Sequence, residues 1–317
     1  DIGVFACEMF LEEDETDANS RILTDFVREV KGAVTAAAHQ GGQTMVLGAR
    51  VLPGLASNLA QGMNVLDWRD EGLLDYVVPM VYGAWIQTDA NHPFEWLLQA
   101  AGRSGCEVYP ALASRIDSEL EGRRPTYAAS VDNYRAAAAA YWNKGADGIY
   151  LPWFDWPIGT EQRQVLSEIA DPDLLREKPK HYVVIRHLED DSEFGRDAQL
   201  PLALTLGLEA PGQTVRFYVT DIQEKADATL KLRLANSTSH DSMSISLNGA
   251  PLPKELCRRT SHGYEYYWLE YPLPHGALRD GHNQVGVALH SRPRNLEGQV
   301  VLESVELLVN YPGPAAP

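Results

Sequence analysis

The sequence predicts an α/β segment followed by an all-β segment. Three observations carry that prediction. Apolar strand-like runs alternate with helix-period segments up to about residue 176. A charged, proline-bearing stretch, DPDLLREKPK at 171–180, then interrupts the pattern. Beyond it come only short alternating runs separated by turn residues. The chain of 317 residues is 44% hydrophobic and 22% charged, a balance that fits two folded globular units.

The α/β elements follow in order. Residues 3–10 (GVFACEMF) form the first strand, and Asn19 or Ser20 caps a helix running to His39, with Ile22, Leu23, Phe26, Val30, Val34 and Ala37 at helical spacing. The run 44–51 (TMVLGARV) is the second strand, followed by a loop with Pro53-Gly54 and a short helix at 65–72. Residues 76–82 (YVVPMVY) are the third strand, and 93–101 the next helix. Residues 107–113 (EVYPALA) are the fourth strand. Residues 131–144, with their AAAAAYW run, form a strong helix stopped by Gly145. Residues 148–154 (GIYLPWF) are the fifth strand, and 160–170 a final helix. Continuous apolar strands alternating with helices predict a parallel sheet covered on both faces, with polar chemistry gathered at the C-terminal strand ends.

The all-β segment offers eight short strands between residues 181 and 309. Leu230-Leu232-Leu234 and Ile245-Leu247 alternate with polar neighbours, and Asn248-Gly249 marks a hairpin. The pattern predicts an antiparallel, jelly-roll-like β-sandwich at 177–312, with 313–317 as a disordered tail. No internal repeat is present.

Charge and cysteine content narrow the function classes. The formal net charge is -17, with -13 of it before residue 177, which argues against a nucleic-acid partner. No apolar run approaches the roughly 18 residues of a membrane span. Cys7, Cys106 and Cys257 form no disulfide framework, and the histidines lack metal-ligand spacing, so neither metal nor organic cofactor is expected. The chain begins at Asp1, which reads as a mature or truncated start.

Two stretches carry a family resemblance. One is 50–83 (RVLPGLASNLAQGMNVLDWRDEGLLDYVVPMVYG) and the other 134–156 (YRAAAAAYWNKGADGIYLPWFDW). In order and spacing they resemble the bacterial glycoside-hydrolase-family-10-like proteins. That family has an R-V-x-P strand, a helix ending W-x-x-E-G-L-V-D, a V-P strand, and a unit ending G-A-D-G-I-Y-L. The resemblance covers most of residues 1–176. It implies a (β/α)8 barrel, a glycosidase activity on polysaccharide or oligosaccharide, a secreted or cell-envelope location, and a trailing accessory sandwich. Only about five βα units are present, the equivalents of strands four to eight, whereas a complete barrel takes about 250 residues. The expectation is therefore a partial (TIM) barrel at 1–176 whose first three units are missing. The family's acid-bearing first-strand motif is also altered, with Phe5 and Cys7 at the expected acid positions and Glu8 one residue out of register.

Glycoside hydrolysis uses two carboxylates flanking the scissile bond. Glu8, ending an apolar strand, is the first candidate, and its bland alternative is a solvated strand-end acid. Asp155, between Trp153 and Trp156, is the second, and its alternative is a turn or cap acid before Pro157. Arg50, at a strand end, is a substrate-binding candidate or an internal ion-pair partner. Tyr82 and Trp85 form a sugar platform or pack the rim, while Trp153 and Trp156 offer indole faces on which sugar C–H groups stack. Tyr109 reads as core, Asp147 as a strand-start residue, and Arg115 and Asp117 as loop residues. In the sandwich, Tyr264-Glu265-Tyr266-Tyr267-Trp268 splits between two faces, so only half can share a surface. Asn236-Ser237-Thr238 matches a glycosylation sequon. The function expected is glycoside hydrolysis by Glu8 and Asp155. The alternative, favoured by Phe5 and Cys7, is a non-catalytic carbohydrate-binding or cell-surface protein with a degenerate barrel.

Overall fold

The apolar runs of the first half pair in chain order. In a computed structural model, which describes residues 2–3, 16–80, 87–101, 105–117, 126–154, 156–186, 198–209, 211–223, 225–262 and 266–312, β1 (Ile2–Gly3) pairs parallel with β2 (Gly48–Val51). β2 then pairs parallel with β3 (Tyr76–Pro79), and β3 with β4 (Glu107–Val108). The ladder continues to a fifth segment, where Ala111 bridges Tyr150 in parallel and the Leu112 N–H donates to the Tyr150 carbonyl at 2.8 Å. Between these strands lie α1 (Thr16–Gly41), α2 (Leu55–Ala60), α3 (Val65–Asp70), α4 (Glu95–Ala101) and α5 (Val131–Lys144), with α6 (Thr160–Glu168) and α7 (Pro172–Leu175) after the fifth segment. Arg115 and Asp117, expected in a loop, instead bound a short strand, β5 (Arg115–Asp117). It forms an antiparallel hairpin with β6 (Thr126–Ala128), because Ile116 and Tyr127 are paired by backbone bonds that polar flanks do not prevent.

The two faces of the parallel sheet are built differently among the described residues. Ala49, Val51, Val77 and Val108 are at most 2% exposed and join Val27, Trp68, Leu97 and Tyr141 of the helices in one core. The residues that alternate with them are mixed: Val78 is 1% exposed, Arg50, Tyr76 and Tyr109 are half-buried, and Glu107 is exposed. On this second face the Tyr76 ring lies over Gly48 and the Tyr109 ring over Gly148. A Cβ at those glycines would sit 2.1 and 2.8 Å from the rings. The two tyrosine rings are 5.6 Å apart and tilted, so glycine and tyrosine together pave this face.

The best-defined element is α5. Ser130 caps it, its hydroxyl accepting the Asn133 N–H at 3.2 Å while the Asn133 side chain accepts the Ser130 N–H at 3.0 Å. Gly145, at φ 99°, ends it in the left-handed conformation that glycine adopts without a Cβ penalty. Ala136 through Ala140 are 0–3% exposed, so the helix is buried all round rather than amphipathic.

The second half forms two antiparallel sheets. One has the order β13 (Arg258–His262), β14 (Tyr266–Leu273), β10 (Asp227–Ala235), β16 (Val301–Asn310), β7 (Lys180–Val183), with β8 (Leu202–Ala203) also on β16. The other runs β12 (Ala250–Pro251), β11 (Ser242–Leu247), β15 (Gly281–Ser291), β9 (Gln213–Val219). Leu230, Leu232 and Leu234 from one sheet and Val285 and Val287 from the other are 0–2% exposed in the shared core. On β14, Leu269 and Tyr271 point inward. Trp268 takes the opposite face, its ring 4.6 Å from Lys231 Nζ and 5.8 Å from the Arg233 guanidinium. Tyr264 and Glu265 lie outside the described residues.

The halves are locked through α5 and β7. The Asn133 amide donates to the His181 carbonyl at 2.9 Å, and Gln87 exchanges two bonds with the Arg186 backbone at 3.0 and 3.3 Å. At the far end of α5, Tyr218 donates to Asn143 at 2.5 Å. Beside it the buried Lys144 Nζ donates to the His92 carbonyl at 2.9 Å, pairs with Glu95 at 3.0 Å and sits 4.7 Å from the Tyr218 ring centre.

Two predictions follow from this packing. Ala138 is fully buried, so Ala138→Leu overpacks the helix and lowers unfolding free energy by about 2 kcal/mol in denaturant titration. The exposed Ala60→Leu stays within about 0.5 kcal/mol. The second concerns Glu168, which binds Arg135 at 2.6 Å, Lys178 at 2.8 Å and Gln164 at 3.2 Å. Burial pushes its carboxyl up, but those donors together outweigh burial and hold it down to about 2. A depressed carboxyl stabilises fully above its usual 4.5 and loses that contribution as pH falls towards 2. Glu168→Gln is expected to cost about 3 kcal/mol at neutral pH, a penalty that shrinks on acidification across that window.

Candidate functional site

Loops leaving the C-terminal ends of the parallel strands are each held by a buried polar side chain. After β2, the fully buried Asn58 accepts the Leu52 N–H at 2.9 Å and donates to the Leu52 and Gly54 carbonyls at 2.7 Å each. A sequence reading has no handle on Asn58, since a lone asparagine in a short helix looks like surface. After β3, His92 donates through Nε2 to the Pro79 carbonyl at 2.9 Å, and Thr88 donates to the Ala113 carbonyl at 2.6 Å. The loop at 87–93 is thereby tied across the end of the fourth strand. Tyr141, whose hydroxyl is pushed well above its usual range by burial, donates to the Asp89 carbonyl at 2.9 Å beneath it.

The loop after the fifth segment carries the tryptophans. Ser114 Oγ, at the end of the fourth strand, donates to the Trp153 carbonyl at 3.3 Å. Trp153 has φ 47°, the left-handed region that a bulky side chain adopts only when its surroundings hold it there, and such residues cluster at ligand clamps. Its indole is 61% exposed and that of Trp156 is 83% exposed. Two exposed indoles three residues apart in sequence are a feature that folding alone does not require.

The expected residues fall out as follows. Arg50 stands at the end of β2 between Gly3 of β1 and Val78 of β3, half-buried on the second face of the sheet. Trp153 and Trp156 share the loop just described. Glu8 and Asp155, the expected carboxylate pair, and Tyr82 and Trp85, the expected platform, lie outside the described residues. Tyr109 is half-buried over Gly148, with its hydroxyl bonded to Glu107. Asp147 accepts the Val108 N–H at 2.8 Å, a structural role at the strand's beginning. Asn236 of the sequon is exposed and donates to the Gln299 carbonyl at 3.2 Å. Among the described residues no three His, Cys, Asp or Glu side chains converge as a metal site, and no helix is long and apolar enough to cross a membrane.

No protein-family model matches the chain, and no curated protein matches it. Among solved structures it is similar to a glycoside hydrolase of family 86 in complex with neoagarooctaose, with 13% identity over 43% of this chain and 20% of that one and a TM-score of 0.25. It is similar to a cycloisomaltooligosaccharide glucanotransferase of a Paenibacillus species complexed with cycloisomaltoheptaose, with 11% identity, 82% and 57% coverage and a TM-score of 0.23. A third is a β-porphyranase of glycoside hydrolase family 86 from the human gut bacterium Bacteroides plebeius, with 11% identity, 94% and 75% coverage and a TM-score of 0.25. The chain thus spans a fifth of the first of these proteins and 57% of the second. These neighbours are carbohydrate-active enzymes, and at such scores the likeness fixes neither the fold nor the activity of this chain.

Proposed function

We propose that this chain is a glycoside-hydrolase-like protein that binds a polysaccharide or oligosaccharide across the C-terminal ends of its parallel strands. The observation that carries the reading is the pair of exposed indoles, Trp153 and Trp156, on a loop whose backbone is held in a left-handed turn. Sugar rings present C–H faces that stack on such surfaces, while Arg50 supplies hydrogen-bond donors from β2, further along the same sheet. The α/β half, residues 1–176, is on this reading part of a (β/α)8 barrel, followed by a sandwich accessory domain at 177–312. Strictly sequential parallel pairing and one fully buried face support that assignment. The face opposite the helices then corresponds to the inside of the barrel.

Catalysis on this reading uses Glu8 and Asp155, one as the acid that protonates the leaving oxygen and one as base or nucleophile. Asp155 sits in sequence between Trp153 and Trp156. The resemblance places such a protein in the cell envelope or outside the cell. The second reading is a binding protein without turnover, favoured by Phe5 and Cys7 at the acid positions of the first strand.

The full chain assayed against a polysaccharide panel separates these readings. Trp153→Ala and Trp156→Ala are each expected to weaken oligosaccharide binding by about 5- to 30-fold, the equivalent of 1–2 kcal/mol. Glu8→Gln and Asp155→Asn are expected to lower kcat by about 100-fold or more with binding retained. Turnover indifferent to both carboxylate substitutions removes the catalytic assignment, and binding without turnover selects the second reading. Binding indifferent to both tryptophan substitutions removes the site itself.

A further inference from the structure

A cleft of about 1300 Å³ opens between the two halves, away from the tryptophan loop. Its first wall is the turn after β2 together with α4, where the half-buried Trp96 donates through Nε1 to the Pro53 carbonyl at 2.6 Å. Its second wall belongs to the sandwich and carries Arg216 of β9, Arg279 and His282. This wall is rigidly built. Asn283, 2% exposed, accepts from the Arg279 N–H at 2.9 Å and from the Asn248 amide at 2.8 Å, and donates back to the Arg279 carbonyl at 2.7 Å. The Asn91 amide crosses from the first wall to the Arg216 carbonyl at 3.3 Å and sets the spacing between the two.

The charge of this cleft runs against the rest of the molecule. The chain carries a formal charge of -17, yet Arg216 and Arg279 are exposed in the cleft and neither is paired with a carboxylate among the described residues. One acid, Asp89, also lines the cleft. Asp89 is 7% exposed and accepts the Asn91 N–H at 2.8 Å, and Asp280 accepts the Asp221 N–H at 2.9 Å. The volume exceeds the roughly 300–1,000 Å³ typical of a small-molecule pocket, which suits a ligand of several linked rings. Guanidinium groups match carboxylate and sulfate oxygens with paired hydrogen bonds, and the Trp96 ring and the amides of the walls suit the sugar body.

We propose that this cleft is a second binding site, for an anionic oligosaccharide bearing carboxylate or sulfate groups, with Arg216 and Arg279 holding the anions. The cleft shares the loops after β2 and β3 with the strand ends, but neither Trp153 nor Trp156 lines it. The test is calorimetric titration of the full chain with three hexasaccharides, one heparin-derived, one oligogalacturonate and one maltohexaose, at low and high salt. At least one anionic hexasaccharide is expected to bind, with affinity that falls on adding salt. The double substitution Arg216→Gln with Arg279→Gln is expected to weaken that binding by about 10- to 100-fold, with thermal unfolding unchanged. Trp153→Ala with Trp156→Ala is expected to leave it intact, and this separates the cleft from the strand-end site. The heparin-derived and oligogalacturonate arms tell sulfate from carboxylate recognition. Failure of both anionic probes to bind overturns the proposal. So does equal affinity for maltohexaose, or binding that survives the double arginine substitution.

Discussion

Burial of the alanine-rich face-all-round helix α5 is the constraint on which the rest of the molecule depends. Five consecutive alanines at 0–3% exposure leave no side of the helix for water, so it needs a partner on every face. The parallel strands supply one wall and β7 of the sandwich another, and short side chains let both approach closely. Polar groups at each end then fix the register. Asn133 bonds the β7 backbone near the start, and Asn143 and Lys144 meet Tyr218 at the finish. Removing either half would expose a helix that has no amphipathic fallback.

Both proposed sites inherit their rigidity from this arrangement. The described parts of the strand-end loops are tied down by Asn58, Thr88, His92 and Ser114, each bonded to backbone. The cleft owes its existence to the docking of the halves, because its walls belong to different ones and Asn91 sets their spacing. The strand-end site is apolar and aromatic, whereas the cleft is cationic and amide-lined. Two such surfaces suit a long, chemically mixed glycan chain better than a single small substrate.

Much of the local structure was legible in the sequence, and the reasons are specific. Helix α5 runs from Val131 to Lys144 as its alanine run and Gly145 stop predict, since helix propensity and a glycine stop act over a few residues. The alternation on β10 likewise sorts Leu230, Leu232 and Leu234 inward. What escaped was non-local. Continuous apolar runs led to a parallel sheet, but not to the packing of Tyr76 over Gly48 and Tyr109 over Gly148 on one of its faces. The signal was a glycine and a tyrosine alternating at strand starts, which only registers once the strands are paired. The β5–β6 hairpin has no strong alternation to betray it. The cleft brings Trp96 and Arg279 together across more than half of the chain, and no periodicity encodes that meeting. Trp153 and Trp156 were expected as sugar faces from their place around Asp155 at a strand end, and both are exposed.

The central claim is that sugar binds on the indoles at the strand ends, and a crystal structure of the chain with a bound oligosaccharide tests it most directly. The account predicts sugar rings stacked on Trp153 and Trp156, with a glycosidic oxygen within hydrogen-bond reach of Asp155. A well-occupied oligosaccharide seated elsewhere, with both indoles bare, would contradict it.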